Sequence, residues 1–307
     1  MTTDLSHRAS AFGLDWRSDI ALPGFDPGPA PPGAAEISVH RLDALPGRPG
    51  ARPINRGFVH DDGIRFGWDD EVVFDMTGGE RIGYLPGPGW TGVMPATFYS
   101  TVAALTAAWR GLLPLHACAV ELDGRALLIA GAGGAGKSTL TAGLIAAGAG
   151  LVADDLVVVR AEQGRVAGRN VVLSGRPTIR LHPETAAALD TLDAWPVPED
   201  PRGKWLAAPR ARSTAAELDL AAVLILGDGI DEGPAPAQGA MLRLFPHLFR
   251  RQWIDALPMR QAVLRDLLRV SVRVPVLGFP AQDGVTAADR ARRAAQAIAL
   301  VRARLAD

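Results

Sequence analysis

Over the first 95 or so residues, apolar and polar positions alternate in short stretches (AFGLDW, EISVHRL, IRFGW, EVVFDM and RIGYL), each cut off by Gly, Pro, Asp or Asn. That is the period of half-buried strands between turns. The proline-rich stretch from Asp26 to Glu36 reads as a loop or spacer. From about Thr97 to Arg110 the period changes, with Val102, Leu105 and Trp109 at helical spacing and Gly111 and Pro114 closing the segment. The pattern predicts a small β-rich N-terminal domain over residues 1–95 and a second domain over 96–307.

In the second domain HACAVEL and RALLIA flank Asp123-Gly124, a dipeptide suited to a tight hairpin because both central positions tolerate positive φ. RALLIA runs into GAGGAGKS, and a helix follows through Leu140, Leu144 and Ile145 to the glycines at 148–150. Next come LVADD, an apolar strand ending in two carboxylates, and LVVVR and RVAGR about a Gln163-Gly164 turn. Strand, glycine loop, helix and strand make one βαβ unit, so the fold class expected is α/β. Farther on the pattern predicts a helix over Pro183 to Leu189 and a long polar loop from Asp190 to Ser213. A strand over Ala221 to Gly227, helices near Pro246 to Trp253 and Pro258 to Leu268, a strand around Val272 to Phe279 and a helix over Thr286 to Leu305 complete it.

The run Gly131-Ala132-Gly133-Gly134-Ala135-Gly136-Lys137-Ser138 fits G-x-x-x-x-G-K-[ST] without a mismatch, and Thr139 extends the phosphate-binding set. Glycines let successive backbone N–H groups turn inward onto phosphate oxygens, and the following helix adds its positive end. Lys137 would reach the β and γ phosphates of ATP and the Ser138 hydroxyl would hold Mg²⁺. A carboxylate at the tip of the next strand is what that ion needs, which makes Asp154 and Asp155 candidates for the metal and for the proton of an attacking hydroxyl.

Composition narrows the partners. At 48% hydrophobic and 21% charged residues with net charge -1, the chain lacks the dense positive field of a nucleic-acid or membrane-surface binder. Its single cysteine, Cys118, excludes an internal disulfide and any cysteine metal cluster, and reads as a small buried apolar residue without chemistry. Neither a signal-peptide pattern nor a run of about 18 apolar residues is present, so the expected compartment is the cytoplasm. Among 32 basic residues only Lys137 and Lys204 are lysines. Lys204, in the polar loop, is a candidate to close on transferring phosphate or a substrate carboxylate. Arg180 is a second candidate clamp, because guanidinium matches phosphate bidentately. The histidines at 7, 40, 60, 182 and 247 show no ligand spacing.

The stretch LPLHACAVELDGRALLIAGAGGAGKSTLTAGLIAAGAGLVADDLVVV resembles the catalytic core of the HPr kinase/phosphorylase family, bacterial serine kinases related to ATP-type phosphoenolpyruvate carboxykinase. A histidine before a strand, the glycine loop and G-x-x-L-V-A-D-D carry the resemblance in order, over about residues 112 to 160. It implies a P-loop kinase core of that type, with His116 beside the aspartates, Asp154 taking the substrate's hydroxyl proton and Asp155 holding metal with Ser138. The segments FGLDWRSDIALPGF and VPVLGFP are more loosely similar to HPr-kinase-related proteins of peptide-modification systems, including lasso-peptide kinases.

In the carrier-protein kinases an E-[IV]-R-G-x-G motif follows the aspartates. Here NVVLSGRPTIRLHP stands in that place, with Arg176 and Arg180 but no such motif, which tells against the carrier protein as substrate and against phosphorylase activity. The expectation is an ATP- and Mg²⁺-dependent kinase acting on the serine of a peptide or protein, specifically a ribosomally made precursor. Since the related enzymes are hexamers, a homo-oligomer is compatible with this. A small-molecule kinase and a non-catalytic ATP sensor or assembly protein remain as alternatives.

Overall fold

The computed structural model describes residues 4–162, 168–197, 202–210, 212–227, 233–234, 237–281 and 286–306. The Gln163-Gly164 turn lies outside the described residues. The protein is mixed α/β with several sheets. Compactness divides it into one unit running to Pro114 and including Phe249–Leu264, and a second formed by Leu115–Leu248 with the chain from Arg265. The helical segment at 98–109, expected to open the second domain, thus falls in the first unit.

The first unit is built on an eight-stranded sheet of β1 (His7–Ala11), β2 (Leu14–Ser18), β3 (Ala35–Arg41), β4 (Arg52–Ile54), β5 (Gly57–His60), β6 (Gly63–Trp68), β7 (Val72–Thr77) and β8 (Arg81–Pro86), in the order β1-β2-β3-β8-β7-β6-β5-β4. AFGLDW, expected as one strand, is instead the corner between β1 and β2. Phe12 and Gly13 both take positive φ, 57° and 70°, the geometry of a two-residue hairpin turn. Phe12 tolerates it because its ring is fully buried, edge-on to Phe25 with centroids 6.0 Å apart. β2 and β3 are parallel, which requires a long crossover, and the proline-rich segment supplies it. A single π-helical turn, Phe98–Val102, leads into α1 (Ala103–Trp109), and Phe98 packs on Trp16, Phe25 and Phe74.

The second unit begins with the hairpin of β9 (Leu113–Leu122) and β10 (Arg125–Gly131), with Asp123 and Gly124 both at positive φ as their types favour. Then follow α2 (Lys137–Ala146), β11 (Gly150–Ala153), β12 (Leu156–Ala161) and β13 (Asn170–Leu173). β10 and β11 each lie antiparallel to opposite edges of β9, so they are parallel to one another and α2 is the crossover between them. Next are β14 (Ile179–Leu181), α3 (Pro183–Ala187), β15 (Leu192–Pro196), β16 (Trp205–Pro209) and β17 (Glu217–Gly227). β17 pairs with β13 through its first residues and with β10, in parallel, through the rest. The strands β10, β9, β12, β13 and β17 therefore close into a ring.

β18 (Gly233–Pro234), α4 (Ala237–Leu244), a 3-10 turn at Phe245–His247, α5 (Arg251–Ile254), α6 (Arg260–Arg273), β19 (Val276–Pro280) and α7 (Ala287–Ala306) follow, α5 belonging to the first unit. The single helix expected over Pro246 to Trp253 is broken where Leu248 turns extended, at ψ 122°, and Arg250 sits at φ 49°. α2 lies close against α7, where a β-carbon on Gly143 would come within 3.1 Å of the Arg290 carbonyl.

The segment expected as a long polar loop carries two strands. β14, β16 and β15 form a separate antiparallel sheet whose Ile179, Leu181, Ala207 and Leu192 face the core of the second unit. Those apolar positions are too few, and too interrupted by Pro and Asp, to register as a strand pattern.

Candidate functional site

The glycine loop sits where β10 ends. Gly131 pairs with Leu226 of β17 and has φ 155°; a β-carbon there would lie 2.7 Å from the Leu226 carbonyl oxygen, so the backbone leaves no room for a side chain. Gly134 and Gly136 adopt φ of 87° and 88°, and Gly136 caps the start of α2. Residues Ala132, Gly133 and Gly134 are exposed, with Ala135, Gly136, Ser138 and Thr139 half-buried beside them. Lys137 is buried and its Nζ reaches back to donate to the carbonyls of Gly131 at 2.9 Å and Ala132 at 3.1 Å. Burial lowers its pKa, and the nearby Asp155 and Asp154 oppose that shift.

Asp154 and Asp155 form the corner between β11 and β12, and the corner separates their roles. The Asp154 carboxylate points inward at 6% exposure. Its Oδ1 accepts from the Cys118 thiol at 3.0 Å and from Ser138 Oγ at 3.3 Å, and its Oδ2 accepts from the Arg180 backbone N–H at 2.9 Å. Asp155 takes φ 67° while the Leu156 N–H donates to the Asp154 carbonyl at 2.8 Å, a γ-turn with a positive central φ, which is rare and strained for a side-chain-bearing residue. The Asp155 carboxylate is about half exposed and lies 3.4 Å from His116 Nδ1 on β9.

These contacts set the two aspartates apart. The Ser138 hydroxyl meets the buried Asp154, whose carboxylate also accepts from Cys118 and the Arg180 N–H, whereas the Asp155 carboxylate is half-exposed beside His116. The reason is the γ-turn, which swings one carboxylate inward and its neighbour out. Among the described residues no group of three or more His, Cys, Asp and Glu side chains could hold a metal ion by itself. A P-loop Mg²⁺ asks for less: one hydroxyl, one carboxylate and otherwise phosphate and water. Ser138 and Asp154 fit that requirement, both offering hard oxygens within 3.3 Å of each other.

The small sheet brings the two remaining candidates alongside. The chain entering β14 is held to β11 by the Gly175 N–H on the Val152 carbonyl, and the chain leaving β16 by the Ser213 N–H on the Leu151 carbonyl. Arg180, in the middle of β14, is fastened to Asp154 through its backbone. Lys204 immediately precedes β16, close enough for its charge to act on both Asp154 and Lys137.

Two residues of the site carried no usable signal in the sequence. Cys118, read as inert packing, is buried but donates its thiol to Asp154, and burial first of all, then Asp154, drives its own pKa well up. His247, set aside for want of ligand spacing, lies near both Lys137 and His116, whose charges act on it. It arrives from a distant turn that no local pattern links to the loop.

No helix among the described residues is long and apolar enough to cross a membrane. No family model matches the chain, and no curated protein matches it. Among solved structures it is similar to the HPr(Ser) kinase/phosphatase from Coxiella burnetii, at 14% identity over 62% of this chain and 95% of that one, with a TM-score of 0.32. At that level of similarity the arrangement of the site itself is what speaks for function.

Proposed function

We propose that this protein is an ATP- and Mg²⁺-dependent kinase that transfers the γ-phosphoryl group to a serine hydroxyl of a peptide or protein, with a ribosomally made precursor peptide as the specific acceptor. One observation carries the reading. The ammonium of Lys137 lies on the carbonyls of the glycine loop, the neighbouring Ser138 hydroxyl meets the carboxylate of Asp154, and a second carboxylate, Asp155, stands half-exposed beside His116.

In this reading the loop amides and the N-terminus of α2 receive the phosphates, and Lys137 leaves the loop carbonyls to follow charge onto the γ-phosphate. Ser138 and Asp154 would hold Mg²⁺, which when bound would supply neutralising charge to the phosphates. Asp155, oriented by His116, accepts the serine proton as the serine oxygen bonds to the γ-phosphorus and the bond from that phosphorus to the bridging oxygen of ADP breaks. Arg180 and Lys204 approach from the small sheet and supply further positive charge to the transferring group.

The test incubates the protein with γ-labelled ATP, Mg²⁺ and, in parallel, a set of serine-containing peptides and a metabolite extract. Label is expected on peptide serine, and Asp155→Asn is expected to bind ATP normally while transfer falls by about 100-fold or more. Label confined to a metabolite fraction identifies a small-molecule kinase instead. Normal ATP binding with no transfer to any acceptor identifies a nucleotide sensor.

A further inference from the structure

Leu115 of β9 and Leu248 form an antiparallel bridge. The same register continues on the other side, where the Phe249 N–H donates to the Pro114 carbonyl at 3.0 Å. His116 follows Leu115 and His247 precedes Leu248, so this bridge brings the two histidines to the same edge of β9. The local chain is shaped for this: α4 gives way to a 3-10 turn containing Pro246, and Leu248 is extended at φ -60° and ψ 122°, so His247 is delivered at the edge of β9.

His247 is half-buried there, and its pKa is pushed down to about 4 by burial first and then by the charges of Lys137 and His116. The charged and titratable groups around it are Lys137 from α2, His116 from β9 and, beside His116, Asp155. At neutral pH the imidazole is therefore uncharged and offers one N–H donor and one acceptor. An ammonium in the Lys137 position serves the β and γ phosphates, so a side chain near that ammonium is near the end of the phosphate chain.

We infer that His247 is a further nucleotide-binding residue that hydrogen-bonds the terminal phosphate of a bound triphosphate and thereby distinguishes ATP from ADP. The inference rests on the reading of the glycine loop as a triphosphate site. A neutral donor suits the task, because it adds recognition of the last phosphate without a further cation in a site that already holds Lys137 and Lys204.

Calorimetric titration in the presence of Mg²⁺ tests it, with a non-hydrolysable ATP analogue and with ADP as ligands for the wild type, His247→Ala and His247→Gln. His247→Ala should weaken the triphosphate by about 5- to 10-fold, the scale of one hydrogen bond, and leave ADP within about twofold. His247→Gln, which keeps an N–H donor, should recover most of the loss; if the alanine variant does not fold, the glutamine variant and His247→Leu carry the comparison. Equal weakening of both ligands, or none, overturns the assignment. A wild type that binds neither ligand overturns it too, and locates the failure in the loop reading rather than in His247.

Discussion

The Cys118 thiol donates to Asp154 Oδ1 at 3.0 Å, a hydrogen bond between two side chains that are both buried. It explains how a carboxylate survives there. Burial raises the Asp154 pKa above the usual carboxylate range and Asp155 adds to this, while Cys118, the Arg180 N–H and Lys204 pull it back without cancelling the shift.

A folded-state pKa above the unfolded value means that Asp154 supports the fold at low pH and loses that support as pH rises through its folded pKa. Asn at this position can keep the geometry, its oxygen accepting from the Arg180 N–H and its amide donating toward Ser138 and Cys118. Asp154→Asn should therefore melt higher than the wild type at pH 8, with the gap closing as pH falls through the raised folded-state pKa of Asp154, below which the wild-type carboxyl is also neutral. The same variant should lose Mg²⁺-dependent transfer by about 100-fold or more. Thermal melts at several pH values check the first point, and a gap that widens toward acid would contradict it.

Strain at Asp155 makes a separate prediction. With φ at 67°, a β-carbon is disfavoured there whatever the side chain does, by about 1–2 kcal/mol. Asp155→Gly should accordingly be more stable to urea than Asp155→Ala by about 1 kcal/mol, although glycine costs more backbone entropy. Equal midpoints for the two variants would show that the corner relaxes out of the left-handed region.

Lys204 is the second of two lysines in a chain that otherwise uses arginine, and it stands where its charge reaches Asp154 and Lys137. Lys204→Arg retains the charge but replaces a compact ammonium with a broad planar fork. Folding should be unchanged and phosphoryl transfer about 10-fold slower, measured as turnover of labelled ATP. Turnover equal to wild type would make Lys204 an ordinary surface residue.

The glycine loop, the hairpin at Asp123-Gly124 and the carboxylates at the end of LVAD were legible in the sequence because each is a local event. A few adjacent residues set the φ values, the strand end and the helix start. The β15 and β16 strands were not legible, since what makes them strands is the core against which Leu192 and Ala207 are buried. The turn at Phe12 was hidden for a similar reason, its positive φ being tolerated because the ring is enclosed.

The sequence by itself determined that a glycine loop ends in a lysine and a serine and is followed, after one helix and one strand, by two aspartates. Only the tertiary structure decided which aspartate meets Ser138 and which stands beside His116, because that depends on a γ-turn whose strain is held by the strands on either side. It alone also brought in Cys118 as a donor and His247 as a neighbour of Lys137. Their proximity arises from strand register between segments far apart in the chain, and register is set by packing, which no short window of sequence contains.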